Sequence, residues 1–338
     1  MNKTMVRIVG LLVALAVVAV IVLTARKPSS LLRFALVPKS VGHPYWEGVK
    51  AGMEAAAREA GVRARFHGPS AANIDEQIRI IEDFITQGYA GIGISPNDPN
   101  AVKDVIKRAM DKGIAVVTFD SDSPDSDRLL YIGTDNRQAG ARGAQEMIKL
   151  LGAKKGEEDS EFLFLVQIIG GNPGVWNLTE RIEGFKEAVK GYNIKLCDVL
   201  FNEENPNKSL EVAENALTAH PDLRGFFCSN AFGGPGAAGA IKGAIQQRRI
   251  KAGQVHVVAF DTTEDILNYI QEGVIDCTLA QQTRAMGELS LERLIGFAKE
   301  FQRTHKFTRP ANPIIDTGVE VVFPRDVPAY RTLPGKKK

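Results

Sequence analysis

This sequence offers no cysteine pair. Its three cysteines, Cys197, Cys228 and Cys277, are widely separated and odd in number. That excludes a dithiol redox motif, a cysteine zinc site and a disulfide framework. Cys228 and Cys277 fall in apolar runs and read as small buried hydrophobes. Histidine is scarce too, with five in 338 residues and no two at metal-ligand spacing. The patterns GxSxG, HExxH and GxxxxGK[ST] are missing, which removes the common hydrolase, metalloprotease and phosphate-loop chemistries. Charge of one sign is also lacking. Lys plus Arg number 42 against 40 Asp plus Glu, giving a net charge of +2. No long basic run lies in the globular part, so the electrostatic footprint of a nucleic-acid binder is absent.

The one long hydrophobic run is at the start. Lys3 and Arg7 precede an uncharged stretch from Ile8 to Ala25, and Arg26 and Lys27 follow it. This pattern fits a secretory signal or a single membrane anchor. No lipobox cysteine follows, and Leu23-Thr24-Ala25 is a poor cleavage site, which favours the anchor. On either reading the rest of the chain is exported, to the periplasm or cell envelope. Basic residues on both sides orient the segment only weakly. Residues 1–30 are therefore assigned to the anchor and its Pro-Ser linker, and 331–338 to a solvated basic tail.

Between these ends, strand-like and helix-like segments alternate. Ile74, Ile78, Ile81 and Ile85 form one apolar stripe at helical spacing, and Asn73 can cap that helix. Asn97 or Asp98 can cap the next. Strands alternating with helices of this length imply right-handed βαβ units and a parallel sheet. Two cycles of about five strands predict an α/β protein of two doubly wound lobes joined by a three-segment hinge. Lobe one is expected at 31–134 with 283–311, and lobe two at 135–282 with 312–330.

A short phrase occurs once in each cycle. Val116–Asp120 reads VVTFD and Val257–Asp261 reads VVAFD. A parallel strand is buried on both faces, so each carboxylate belongs at the strand's end. The carboxyl ends of strands are where ligands bind in open α/β sheets. Asp120 and Asp261 therefore suggest one carboxylate from each lobe in a shared cleft. Either one alone could equally cap the turn that follows it. The first βα loop, KSVGHPYW, presents Tyr45 and Trp46 at the end of the first strand. Such rings stack on the C–H faces of sugars; one of the two should pack as core, with Trp46 the expected ligand ring. Thr179 could cap a helix that puts Arg181 in its first turn near the cleft, though an exposed salt bridge would also suit that arginine. Asn230 and Gln281 follow strands directly and offer amide donors and acceptors.

In this setting the sequence resembles type I periplasmic sugar-binding proteins of the ribose-binding kind, which share their core with lactose-repressor-type regulators. The resemblance rests on Pro44-Tyr45-Trp46, ISPND at Ile94–Asp98, VVTFDSD at Val116–Asp122 and YIGTDN at Tyr131–Asn136. It continues through ERIEGF at Glu180–Phe185, TAHPDL at Thr218–Leu223, VVAFD and Ala280-Gln281. It implies a ligand site of Tyr45, Trp46, Asp120, Arg181, Asn230, Asp261 and Gln281, with His43 where the family commonly has Asn. Ser121 stands where ribose binders have Arg, and no second-lobe aromatic is evident near Asn202–Pro206. The resemblance further implies a monomeric receptor, not an enzyme, with no cofactor and no nucleic acid. It would close by its hinge on a monosaccharide or polyol and present it to a membrane permease or sensor. A repressor would need a helix-turn-helix where the hydrophobic segment lies.

Two further motifs compete. Gly234–Gly239 reads GPGAAG and fits the dinucleotide fingerprint of a nicotinamide-dependent oxidoreductase. However, Ser229–Gly233 separates it from its strand, and Pro235 sits inside the turn. The acidic stretch Asp120–Asp127 begins like a calcium loop but lacks its Gly and its final Glu, and reads as a solvated turn.

Overall fold

A computed structural model describes residues 31–332. The expected anchor, Ile8–Ala25, and most of the basic tail lie outside the described residues. Among the described residues, no helix is long and apolar enough to cross a membrane.

The chain first lays down β1 (Arg33–Val37), α1 (Tyr45–Ala60), β2 (Arg63–Phe66), α2 (Ile74–Thr86) and β3 (Gly91–Ile94). Then come α3 (Lys103–Asp111), β4 (Ala115–Phe119) and β5 (Leu130–Gly133). A second cycle follows with α4 (Asn136–Leu151), β6 (Phe164–Gly170), α5 (Trp176–Ala188), β7 (Ile194–Leu196), β8 (Leu200–Phe201) and α6 (Pro206–Ala219). It continues through β9 (Leu223–Cys228), α7 (Gly233–Gln246), β10 (His256–Phe260), α8 (Glu264–Gln271) and β11 (Cys277–Gln281). The chain ends with α9 (Thr283–Thr304), β12 (Ile314–Asp316), β13 (Val319–Val322) and α10 (Val327–Thr332).

These strands form two sheets. The first has the order β12-β5-β4-β3-β1-β2, and the second β13-β11-β10-β9-β6-β7 with β8 beside β6. All pairings are parallel except β11 with β13. The central strands are apolar and buried on both faces, as β3, β4 and β10 show. Helices cover the sheets through amphipathic faces; α2 buries Ile81, Phe84 and Ile85, and the Asn73 side chain accepts from the Glu76 N–H. Where two helices cross closely, glycine is required. A Cβ on Gly52 of α1 would lie 2.0 Å from the Arg284 carbonyl oxygen of α9.

Three strand-to-element links pass between the sheets. Two fall after β5 and after β11. The third differs, because Ile314–Asp316 pairs with Tyr131–Gly133 in the first sheet. The crossing thus follows Asp316 rather than lying near Asn312. Asp316 secures it: one carboxylate oxygen accepts from both Asp135 N–H and Gly318 N–H, each at 2.8 Å.

Several local expectations are revised. Asp98 accepts from Asn100 and Ala101 in a turn ahead of α3, whose cap position is Val102. The stretch after Asp120 is not simply solvated. Asp122 is buried and receives two hydrogen bonds from Arg128, at 2.6 and 2.5 Å, and one from the Thr118 hydroxyl. Cys228 and Cys277 are buried, and that burial raises both thiol pKa values.

Candidate ligand cleft between the two sheets

Asp120 and Asp261 each take the residue position just past a central strand, and both are in the left-handed backbone region. Their φ values are 60° and 72°. Asp tolerates that conformation better than most residues, but it still costs about 1–3 kcal/mol. The surroundings hold it in the same way twice. Asp120 N–H donates to Ile132 and Asp261 N–H to Leu279, each on the neighbouring strand. The Asp120 carbonyl accepts from the Tyr131 hydroxyl, and the Asp261 carbonyl from the Thr278 hydroxyl. Two strained carboxylates, built alike on two sheets, face one cavity of about 650 Å³.

That cavity is lined by all eight residues singled out from the sequence. His43, Tyr45, Trp46 and Asp120 line it from the first sheet's side. Arg181, Asn230, Asp261 and Gln281 line it from the second. Tyr45 donates its hydroxyl to Asp120 Oδ1 at 2.7 Å, and Ser95 donates to Oδ2 at 2.9 Å. Burial, with the Asp120 charge beside it, raises the Tyr45 pKa well above its ordinary value. Of the two neighbouring rings Trp46 is the more buried; it stands edge-on to Phe119 in the first core. Tyr45 therefore presents the more accessible ring.

On the opposite wall, Arg181 is 2% exposed, yet its charge has partners. Nε donates to Asn136 Oδ1 and Nη1 to the Ser229 carbonyl, both at 2.9 Å. The guanidinium lies over the Phe260 ring, 4.3 Å from its centroid. Among the described residues, Nη2 has no hydrogen-bond partner. An unmade bond on a buried group costs about 1–3 kcal/mol, more when charged. Asp261 accepts from Gln281 Nε2 at 2.8 Å, and Gln281 Oε1 in turn accepts from Thr134. Burial raises the Asp261 carboxyl pKa; Arg181, Gln281 and His43 oppose that rise, and Asp120 adds to it. Asn230 forms a reciprocal amide pair with Asn202, two bonds of 3.0 Å.

Arg181 reaches this wall by a different local route from the one expected. Helix α5 begins at Trp176, and Thr179 is inside it, donating its hydroxyl to the Val175 carbonyl. Arg181 is thus a full turn in from the helix start. The glycine phrase Gly234–Gly239 is likewise not an open turn. It forms the first turns of α7, where a Cβ on Gly236 would lie 2.6 Å from Ser209 and one on Gly234 2.8 Å from Ala259. Those glycines serve helix packing and leave no loop to cradle a pyrophosphate.

The family model described as "Periplasmic binding protein domain" matches residues 34–299. The chain belongs to the periplasmic binding protein family. A D-allose-binding periplasmic protein of Escherichia coli K12 is 30% identical over 276 residues, 79% of this chain and 84% of the relative. A D-ribose/D-allose-binding protein of Pseudomonas aeruginosa is 29% identical, covering 88% and 90%. Among solved structures, an ABC transporter solute binding protein from Burkholderia graminis C4D1M in complex with D-arabinose superposes with a TM-score of 0.78. It is 35% identical, with 88% of this chain and 97% of that chain covered. The fold is that of the type I periplasmic binding proteins, and the family's members are receptors rather than enzymes.

Seen as a periplasmic binding protein, the chain has cleft residues that its sequence did not announce. Lys39 is 7% exposed and donates to Asn177 Oδ1 of the opposite lobe at 2.9 Å, with Asp120 Oδ2 at 3.5 Å. It ties the first lobe to the second and balances the Asp120 charge. Phe232 supplies the second-lobe aromatic, from a position well past Asn202–Pro206. Its ring meets His43 across the cleft, centroids 4.9 Å apart and planes at 86°. His43 is held for this by its own turn, because Nδ1 accepts from the Tyr45 N–H at 3.0 Å. An edge-to-face pair contributes about 1 kcal/mol. Phe232→Ala should accordingly weaken ligand binding about fivefold, mostly by faster release, with the ligand-free melting temperature unchanged. Stopped-flow release and a thermal melt check this; equal release rates would remove Phe232 from the cleft's closure.

Proposed function

We propose that this chain is the exported sugar-binding component of an ABC import system and closes its two lobes on one monosaccharide. One observation carries the reading. Two left-handed aspartates, one from each lobe, share a cavity with a buried guanidinium whose Nη2 lacks a partner among the described residues. Carboxylates accept paired hydrogen bonds from vicinal hydroxyls, and charge strengthens each bond. The free Nη2 can donate to a ring or hydroxyl oxygen. The remaining Asn230 donor and the Tyr45, Trp46 and Phe232 rings suit a solute that is polar at its rim and apolar on its faces. The relatives named for D-allose, D-ribose and D-arabinose support the same solute class.

A ligand touching both lobes stabilises the closed form, and a permease or sensor can read that form. The Ile8–Ala25 run supports a receptor tethered beside its membrane partner. A thermal-shift screen of the purified protein with pentoses, hexoses, polyols and NAD tests the reading. Saturation at about 100 times Kd stabilises by about 2.7 kcal/mol, so a bound sugar should raise the melting temperature by about 5 °C or more. A response to NAD and none to any sugar would overturn the proposal.

A further inference from the structure

We infer that Tyr131 and Asn136, neither of which lines the cleft, are positioning residues that join the first lobe's aspartate to the second lobe's arginine. This rests on the sugar-receptor reading above. The two residues flank the first interlobe crossing, one within the first-sheet strand β5 and the other opening the second-lobe helix α4. Tyr131 is 1% exposed and Asn136 equally buried. The Tyr131 hydroxyl lies 3.1 Å from the Asp120 carbonyl and 3.0 Å from the Thr134 carbonyl. It also accepts from Asn136 Nδ2 at 3.2 Å. Asn136 Nδ2 donates as well to the Thr134 carbonyl at 3.0 Å.

These bonds fix which way the Asn136 amide faces. Its two N–H groups are committed to the crossing, so its oxygen must point outward, where it accepts from Arg181 Nε at 2.9 Å. A continuous chain therefore runs from the Asp120 backbone through a phenol and an amide to the guanidinium. The backbone is shaped to admit it. A Cβ on Gly133 would lie 2.4 Å from the Tyr131 hydroxyl and 3.1 Å from Asp120 N, so only glycine leaves the phenol its place. The second lobe shows the same close fit: a Cβ on Gly140 would fall 2.0 Å from the Arg181 carbonyl oxygen. The Tyr131 ring meets Trp176 edge-on at 5.5 Å, so removing the hydroxyl alone leaves its packing in place.

The chain predicts energetic coupling between groups on opposite sides of the crossing. A full-length Tyr131→Phe protein should bind its best sugar three- to tenfold more weakly. Part of that loss should vanish when Arg181 is already Lys, because Lys has no Nε fork for Asn136 to hold. The experiment is a double-mutant cycle of Tyr131→Phe and Arg181→Lys, with Kd by calorimetry and ligand-free melting temperatures for all four proteins. Expected is a non-additive Kd cycle, with the double variant at least threefold tighter than additivity gives. Additive Kd losses, or a Tyr131→Phe protein with wild-type Kd, would overturn the inference. Where Tyr131→Phe melts too early to assay, Asn136→Asp serves in the cycle: it keeps an acceptor for Arg181 and loses the donors to Tyr131 and Thr134. A wild type that binds no sugar would instead sink the receptor reading, so the two failures are distinguishable.

Discussion

Asp261→Asn should abolish the sugar-induced rise in melting temperature while making the ligand-free protein more stable. Both effects follow from one buried carboxylate. The side chain is buried at the end of a central strand and accepts a hydrogen bond from Gln281. In the closed cleft, charge-assisted bonds to hydroxyls would contribute about twice what a neutral amide can. An amide also presents N–H groups where the ligand's own donors point. A loss of at least a hundredfold in affinity is expected, about 3 kcal/mol. Without ligand the balance reverses. Burial raises the Asp261 pKa despite Arg181, so holding it ionised at neutral pH costs folding free energy. A carboxyl whose folded pKa lies above its unfolded value adds stability at low pH, and loses it as pH rises through the folded value. Acidification from neutrality should thus stabilise the ligand-free wild type through Asp261, beginning at its raised pKa and ending near the ordinary value of about 3.9. Binding should weaken over the same interval. The Asn variant lacks this dependence, and its melting temperature at neutral pH should exceed wild type by a few degrees, for about 1 kcal/mol. Melts with and without sugar from about pH 4 to about pH 7 check both halves. A variant that still responds to sugar, or that melts below wild type at neutral pH, refutes this account of Asp261.

That aspartate was legible in the sequence because burial leaves a strong mark. A β-branched run that stops at a carboxylate has few other places to put the charge. The helix stripe Ile74, Ile78, Ile81 and Ile85 and its Asn73 cap were legible for the same reason: both are local patterns fixed by helical geometry. What was not legible depends on partners far away in the chain. Ile314–Asp316 and Val319–Val322 are short edge strands with partly exposed residues, and each becomes a strand only by pairing with β5 or β11. Lys39 opens a turn and carries no periodic signal; Asn177 of the other lobe and Asp120 are its partners. Phe232 precedes two glycines and carries no periodicity, and its role appears only when His43 faces it. Tyr131 looks like one more apolar strand residue until its hydroxyl is seen between two carbonyls. Backbone conformation was hidden as well. Nothing in VVTFD or VVAFD announces a positive φ at the aspartate, although that turn is what aims both carboxylates into the cleft.

Arg181→Met should eliminate sugar binding and destabilise the ligand-free protein, and Asp261→Asn should then restore stability without restoring binding. Met keeps most of the apolar stem and can still lie against Phe260. It removes the donors to Asn136 and Ser229 and the free Nη2. Two buried acceptors lose their partners, and Asp261 loses the positive charge that best opposes its desolvation. Each buried acceptor left unpaired costs about 1–3 kcal/mol, and the less compensated Asp261 charge adds to that loss. In the single variant the Asp261 pKa should rise further, so its stability deficit should shrink on acidification. In the double variant the stranded charge is gone, and about half of the lost stability should return. Binding should stay absent, because neither the guanidinium nor the carboxylate remains to meet the hydroxyls. Denaturant melts of the four proteins at neutral and mildly acid pH read the coupling directly. Equal destabilisation by Arg181→Met in both backgrounds would show that the arginine's charge does not compensate Asp261. The cleft would then have to be held by Asn136, Ser229 and the Phe260 face, with the guanidinium serving only as a hydrogen-bond frame.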